Sequence, residues 1–151
     1  WLGKDPTGYG AHALYVGKYG SLTLTNFRFE RGTGGHYVKT RAKTVKIMYN
    51  SIDDTYGSHT NYLIDLSNGA TGLISSNVLV NGPNKDNYST MITVAPEGAL
   101  NSSIGLVIEK NRAWLATGFK WTTTLVGNWS RQPITVRDNQ LAAKITAYAV
   151  R

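Results

Sequence analysis

The stretch NYLIDLSNGATGLISSNVLVNGPNKDN, residues 61–87, decides the fold. Two short β-branched segments, Tyr62 to Leu66 and Leu73 to Val80, are parted by Ser-Asn-Gly and closed by Asn-Gly-Pro-Asn, which reads as strands bounded by turn formers. The second segment holds LISSN, ending at Asn77, and that phrase recurs. LTLTN ends at Asn26, KIMYN at Asn50, VIEKN at Asn111 and TVRDN at Asn139, at spacings of 24, 27, 34 and 28 residues. A second column lies upstream: LYVG around Val16, YVKT around Val38, YLIDL around Ile64 and MITV around Ile92. Each repeat thus carries two strands and a turn where Asn takes the left-handed conformation or bonds its own backbone. Stacked Asn side chains at one bend form an amide ladder. These features predict an all-β chain, a parallel β-helix of about five coils whose apolar face is buried only by stacking on the next coil.

Further short apolar segments, Leu22 to Phe29, Thr44 to Ile52, Met91 to Val94, Ile104 to Ile108 and Ile134 to Val136, fit the same scheme. Residues 140–150 read as helix or strand, with Ile145, Thr146, Tyr148 and Val150 favouring strand. A hairpin-built sandwich would show repeated Asn-Gly or Asp-Gly joints, and Asn68-Gly69 is the clearest such step between strand segments.

GGHYVKTRA (Gly34 to Ala42), residues 61–87 and STMITVAPEG (Ser89 to Gly98) together resemble bacterial right-handed parallel β-helix repeat proteins. The resemblance covers about Gly34 to Asn111 and implies a secreted or cell-envelope protein of a pectate-lyase-like solenoid group. That wider group includes polysaccharide lyases, alginate epimerases, some glycosidases and phage tailspikes, so the resemblance implies a fold rather than one activity.

Composition narrows the partners. The chain has 151 residues, no Cys, and 16 Lys+Arg against 9 Asp+Glu, a formal charge of +7. A disulfide framework and a thiolate metal site are excluded, one domain over residues 1–151 is expected, and no apolar run has the length of a membrane helix. The positive balance favours an anionic partner. No nucleic-acid motif is present, so acidic polysaccharide ranks above nucleic acid, and no cofactor motif is found. The first residue is Trp1, not Met, so the native start is expected to lie upstream.

Strand alternation then nominates residues. With Val16, Val38, Ile64 and Ile92 pointing inward, Gly17, Lys39, Asp65 and Thr93 form one outward column, and Tyr15, Tyr37, Leu63 and Met91 another. Lys39 and Asp65 are expected to stack. Lys39, Arg41 and Lys43 alternate without an intervening acid, followed by Lys46. They form either a carboxylate-binding stripe, with Tyr15 and Tyr37 stacking on sugar rings, or a solvated edge that discourages aggregation. The phrase Gly-x-His returns at His12, His36 and His59, 24 and 23 residues apart. These histidines are candidates for a metal site, for a general base, or for turn caps that arise from the repeat alone. Their offsets from the inward residues differ, which counts against an even column.

For lyase or epimerase chemistry, Lys39 or Arg41 would neutralise the uronate, His36 or His59 act as base, and Tyr37 or Tyr62 as acid. Asp53, Asp54 and Asp65 are the carboxylates available for glycoside hydrolysis, although adjacent Asp53 and Asp54 point to opposite faces. Trp114, Trp121, Trp129 and Phe119 are expected to be buried or to cap the stack, as Trp1 and Leu2 would at the other end. Sequons at Asn87, Asn101 and Asn128 would mark exposed loops. Three functions follow from these readings: a binding module for acidic polysaccharide, a uronan lyase, epimerase or glycoside hydrolase, and a structural protein that self-associates through its ends.

Overall fold

A computed structural model describes residues 10–151. Trp1, Leu2 and the expectations placed on them lie outside the described residues. Among the described residues every regular element is a strand, and no helix is long and apolar enough to cross a membrane.

The chain travels in rounds of three strands. The first is β1 (Leu14–Val16), β2 (Ser21–Thr25) and β3 (Arg28–Glu30); the second is β4 (Val38–Thr40), β5 (Thr44–Met48) and β6 (Ser51–Asp53). The third is β7 (Ile64–Leu66), β8 (Thr71–Ser75) and β9 (Val78–Asn81), and the fourth β10 (Thr90–Val94), β11 (Val107–Glu109) and β12 (Arg112–Leu115). The fifth is β13 (Thr123–Asn128), β14 (Thr135–Arg137) and β15 (Gln140–Leu141), after which β16 (Ile145–Val150) returns to the first sheet. Each strand pairs in parallel with its counterpart one round away, giving a six-stranded sheet and two five-stranded sheets. This order is consistent with a parallel β-helix.

Three strands per round replace the two expected from sequence. Segments such as Thr44 to Ile52, read as one strand, bend in the middle at a residue in the left-handed region. Asn26, Tyr49, Ser76, Lys110 and Asp138 have φ of 62°, 58°, 58°, 56° and 53°. That conformation costs a non-glycine residue roughly 1–2 kcal/mol. After four of the five, the Asn that follows supplies the compensation. Asn50 donates its backbone N–H and its Nδ2 to Asn77 Oδ1, at 2.9 and 3.0 Å. Asn77 does the same to Asn111 at 3.0 and 2.9 Å, and Asn111 to Asn139 at 2.9 and 3.0 Å. Each Nδ2 also reaches a carbonyl of the preceding round, as Asn77 does to Ile47 O at 2.9 Å.

Asn26 is not part of this ladder. Leu24 pairs with Ile47 and Thr25 with Met48, so Asn26 belongs to the left-handed column, and Phe27 takes the ladder position and donates its N–H to Asn50 Oδ1 at 3.0 Å. The first round is also displaced in the upstream column: Leu14, not Val16, pairs with Val38, while Val38, Ile64 and Ile92 align as expected.

Between the sheets the core repeats round by round. Leu24, Ile47, Ile74 and Ile108 line one sheet, Ile52, Leu79 and Ala113 the next, and Val38, Ile64, Ile92 and Val126 the first, all buried. Each fully buried Leu or Ile contributes about 1.5–3 kcal/mol, and the middle rounds hold most of them, since Leu14, Leu22 and Phe29 at one end and Val136, Leu141 and Ile145 at the other are only partly buried.

Asn77→Ala is expected to destabilise the chain by about 3 kcal/mol or more. It orphans the Asn50 N–H inside the core, at roughly 1–3 kcal/mol, and removes three further hydrogen bonds, from Asn50 Nδ2 and to Ile47 O and Asn111 Oδ1, at about 1 kcal/mol each. Urea unfolding measures this, and an unchanged midpoint would contradict the ladder's role.

Candidate functional site

Glycines bring the first two rounds together. A Cβ on Gly10 would lie 2.4 Å from Gly34 Cα, so the Gly-x-His phrase recurs because its two backbones touch at this bend. Two residues further on, the imidazoles meet edge-on: His12 and His36 centroids are 4.8 Å apart at 61°, and the His36 backbone N–H donates to His12 Nδ1 at 3.0 Å. His59 does not join them. The residue two before Ile64, as His36 is two before Val38, is Tyr62, whose ring lies 5.6 Å from His36. His59 is exposed, and its Nδ1 is 3.0 Å from Asp86 Oδ1. Among the described residues no three His, Asp or Glu side chains converge as a metal site.

The aromatic row extends in both directions. The Tyr15 ring is 5.8 Å from His12, the Trp129 ring 6.5 Å from Tyr62, and the Arg151 guanidinium 5.9 Å from the Trp129 centroid. Trp129 has room because position 127 is glycine, where a Cβ would lie 2.7 Å from its ring. The row thus crosses the first sheet over β1, β4 and β7 and continues at β13, β10 contributing no ring to it. A stacked pair, Tyr88 and Trp121, with centroids 4.5 Å apart, has Phe119 edge-on to Trp121. The expected burial of the tryptophans holds poorly: Trp114 and Trp121 are exposed and Trp129 half-buried, while Phe119 is buried.

Beside the aromatic row lies a charged cluster. Lys39, Asp65 and Thr93 are in register on β4, β7 and β10, and Tyr15, not Gly17, is their counterpart on β1. Asp65 is buried, with Oδ1 accepting from Thr93 Oγ1 at 2.8 Å and Oδ2 from Ser67 Oγ at 2.8 Å. Lys39 Nζ and His36 Nε2 lie 3.3 and 3.4 Å from the same Oδ2. Lys39 also donates to Glu97 Oε1 at 2.5 Å, and Arg41 Nη2 donates to Glu97 Oε2. Arg41 is held further by Tyr15 OH, which accepts from Nε at 3.0 Å, and by Asn68 Oδ1, which accepts from Nη1 at 2.7 Å.

The basic stripe is therefore divided. Lys39 is only 8% exposed and its charge is matched by Asp65 and Glu97; Arg41 is half-buried; Lys43 and Lys46 are exposed. Lys43 and Arg41 line a cleft of about 160 Å³ with Lys18, Asn68, Leu100 and Asn101. No carboxylate lines it. Asn101 is anchored there by donating to Gly69 O at 2.9 Å and Arg41 O at 3.3 Å. Glu97, Leu100 and Asn101 come from the loop between β10 and β11. Sequence reasoning named none of these as site residues, and the one signal was the 34-residue spacing from Asn77 to Asn111.

Other candidates face elsewhere. Tyr37, Leu63 and Met91, expected to point outward, are fully buried, because the chain is bending from the third sheet into the first there and the side chains turn into the core. Tyr37 OH donates to Asp54 Oδ1 at 2.7 Å, and burial and Asp54 hold the phenol well above the usual tyrosine range. Asp54 is buried too, accepting from Thr60, from Gly82 N–H at 3.2 Å and from Lys85 Nζ at 3.0 Å. Burial of Lys85 lowers its pKa against the pull of Asp54. Asp53 accepts from Thr55 N–H at 2.9 Å, while Asp54 is enclosed and engaged by Tyr37, Thr60, Gly82 and Lys85. Of the sequon residues, Asn128 is fully buried.

His36 has little freedom as a base. Its Nδ1 is 3.2 Å from His12 Nδ1 and its Nε2 faces Asp65. Burial pushes the imidazole down to about 3, with Lys39 and His12 adding to it. Between the ordinary 6.5 and about 3 the unfolded chain takes up a proton that the folded chain refuses, so stability falls as pH falls through that window. Two pH units of this linkage amount to about 3 kcal/mol. The His36→Asn variant is expected to lose about 2–3 kcal/mol less than wild type between pH 7 and 4.5 by urea unfolding. Equal losses would contradict a neutral, buried His36.

Comparison of the chain with protein-family models, with curated proteins and with solved structures finds no match.

Proposed function

We propose that this chain is a right-handed parallel β-helix of about five coils, a secreted or cell-envelope protein that binds acidic polysaccharide along the outward face of its first sheet. The observation that carries this reading is the cleft where Lys18, Arg41 and Lys43 meet Asn68 and Asn101 without a lining carboxylate. Arg and Lys donate charge-assisted hydrogen bonds to carboxylates, and Asn68 and Asn101 fix the walls of the cleft by bonding Arg41. The aromatic row supports a polymer rather than a small anion. It runs in the stacking direction of the strands, so a chain lying along it meets aromatic faces on several successive strands, and Tyr15 joins the row to Arg41.

The enclosed His36 favours binding over lysis. A base for proton abstraction needs an open nitrogen within reach of substrate, and both His36 nitrogens face protein groups.

Affinity electrophoresis in gels containing polygalacturonate, alginate or dextran tests the proposal. The expected result is retardation by the two uronans, none by dextran, and weakening with added salt. Lys18 and Lys43 are exposed, so the Lys18→Ala, Lys43→Ala double variant should fold normally and bind polygalacturonate about tenfold more weakly. Equal retardation by dextran, or an unaffected double variant, would overturn it. Release of unsaturated uronates absorbing in the ultraviolet would replace binding with lysis.

A further inference from the structure

The Glu97 carboxylate is held as a bound ligand would be held. Each of its oxygens meets its own cation, Lys39 Nζ on Oε1 and Arg41 Nη2 on Oε2. Those cations are positioned without its help. Asp65 Oδ2 is 3.3 Å from Lys39 Nζ, and Tyr15 OH and Asn68 Oδ1 accept from the remaining edges of Arg41 at 3.0 and 2.7 Å. The Lys39 and Arg41 side chains are 10% and 22% exposed, whereas that of Glu97 is 41% exposed. A built, largely enclosed receptor is thus filled by a group at the surface.

From this we infer that Lys39 and Arg41, the latter positioned by Asn68, form a carboxylate-binding seat, next to the Lys18–Lys43 cleft and sharing Arg41 with it, which Glu97 occupies as an internal competitor of a uronate. The inference rests on the polysaccharide-binding reading and adds a second carboxylate position to it. Lys39, Arg41 and Asp65 together carry one net positive charge, which the seat presents once Glu97 leaves. Departure requires only rotation of the side chain. The backbone is fixed independently: the Glu97 N–H donates to Ser67 O at 3.0 Å, and Asn68 Nδ2 donates to the Glu97 and Gly98 carbonyls at 3.4 and 3.3 Å. Lys39 and then Arg41 hold the Glu97 carboxyl below the usual carboxylate range, so the competitor stays anionic through mildly acidic pH. An intramolecular competitor lowers apparent affinity by the fraction of time the seat is open.

The test titrates trigalacturonate into wild type, Glu97→Ala and Glu97→Gln, following the Arg41 Nε–Hε resonance by NMR alongside a binding isotherm. Glu97→Ala is expected to bind about tenfold more tightly than wild type, with a ligand-dependent shift of the Arg41 resonance that disappears when Arg41→Lys is added. Glu97→Gln, which keeps shape and removes charge, should gain in the same direction and stands in if the alanine variant fails to fold. A folded Glu97 variant that binds no more tightly, while wild-type binding still depends on Lys18 and Lys43, would overturn the seat and leave the cleft intact. A gain at Arg41 in a protein whose wild type binds no uronan would overturn the cleft and leave the seat.

Discussion

In-register hydrogen bonding between successive rounds turns a sequence separation of 22 to 34 residues into a distance of one strand. Everything else in the molecule follows from that register. It places Ile47 over Leu24 and Ile74 over Ile47, so each round sets its buried apolar residues directly on those of the round before. It lets one Asn serve the backbone of the round before it, which compensates for a left-handed residue at each bend. On the outward side it places His12 on His36 and Lys39 on Asp65, which no local structure could do.

The formal charge of +7 acquires a distribution from the same register. Lys85 and Lys39 are taken inside and matched by Asp54 and by Asp65 with Glu97. Burying a charge without its partner would cost several kcal/mol, so each of these cations is matched inside the protein and offers little to a ligand. Lys18 and Lys43 have no such role and remain at the mouth of a cleft. Arg41 belongs to both groups: one guanidinium edge is pinned by Tyr15 and Asn68 while another meets Glu97. The binding account therefore centres on Arg41 rather than on the stripe as a whole.

Most of the fold was legible because its repeat is written in residues with strong local meaning. Asn50, Asn77, Asn111 and Asn139 recur at coil spacing, and short β-branched runs precede them. The one-residue displacement at Asn26 was hidden because Asn satisfies both columns, the left-handed one and the ladder. The third strand of each round was hidden for a related reason: Tyr49, Ser76 and Lys110 carry the bend, and no composition marks them. The site was legible only in part. Lys39 and Asp65 followed from alternation, and the paired histidines from their phrase. Tyr37 was misplaced because alternation fails where the chain bends into the sheet. Glu97 was invisible, since its contacts to Lys39 and Arg41 span 58 and 56 residues and depend on how a loop returns across two strands.

Backbone hydrogen exchange with and without polygalacturonate tests the central claim, that the outward face of the first sheet is the binding surface, most directly. The account predicts added protection confined to the bends and loops that border this face, residues 11–18, 36–43, 61–68 and 96–102, with the third sheet unchanged. Protection spread evenly over the molecule, or concentrated on β3, β6 and β9, would contradict it.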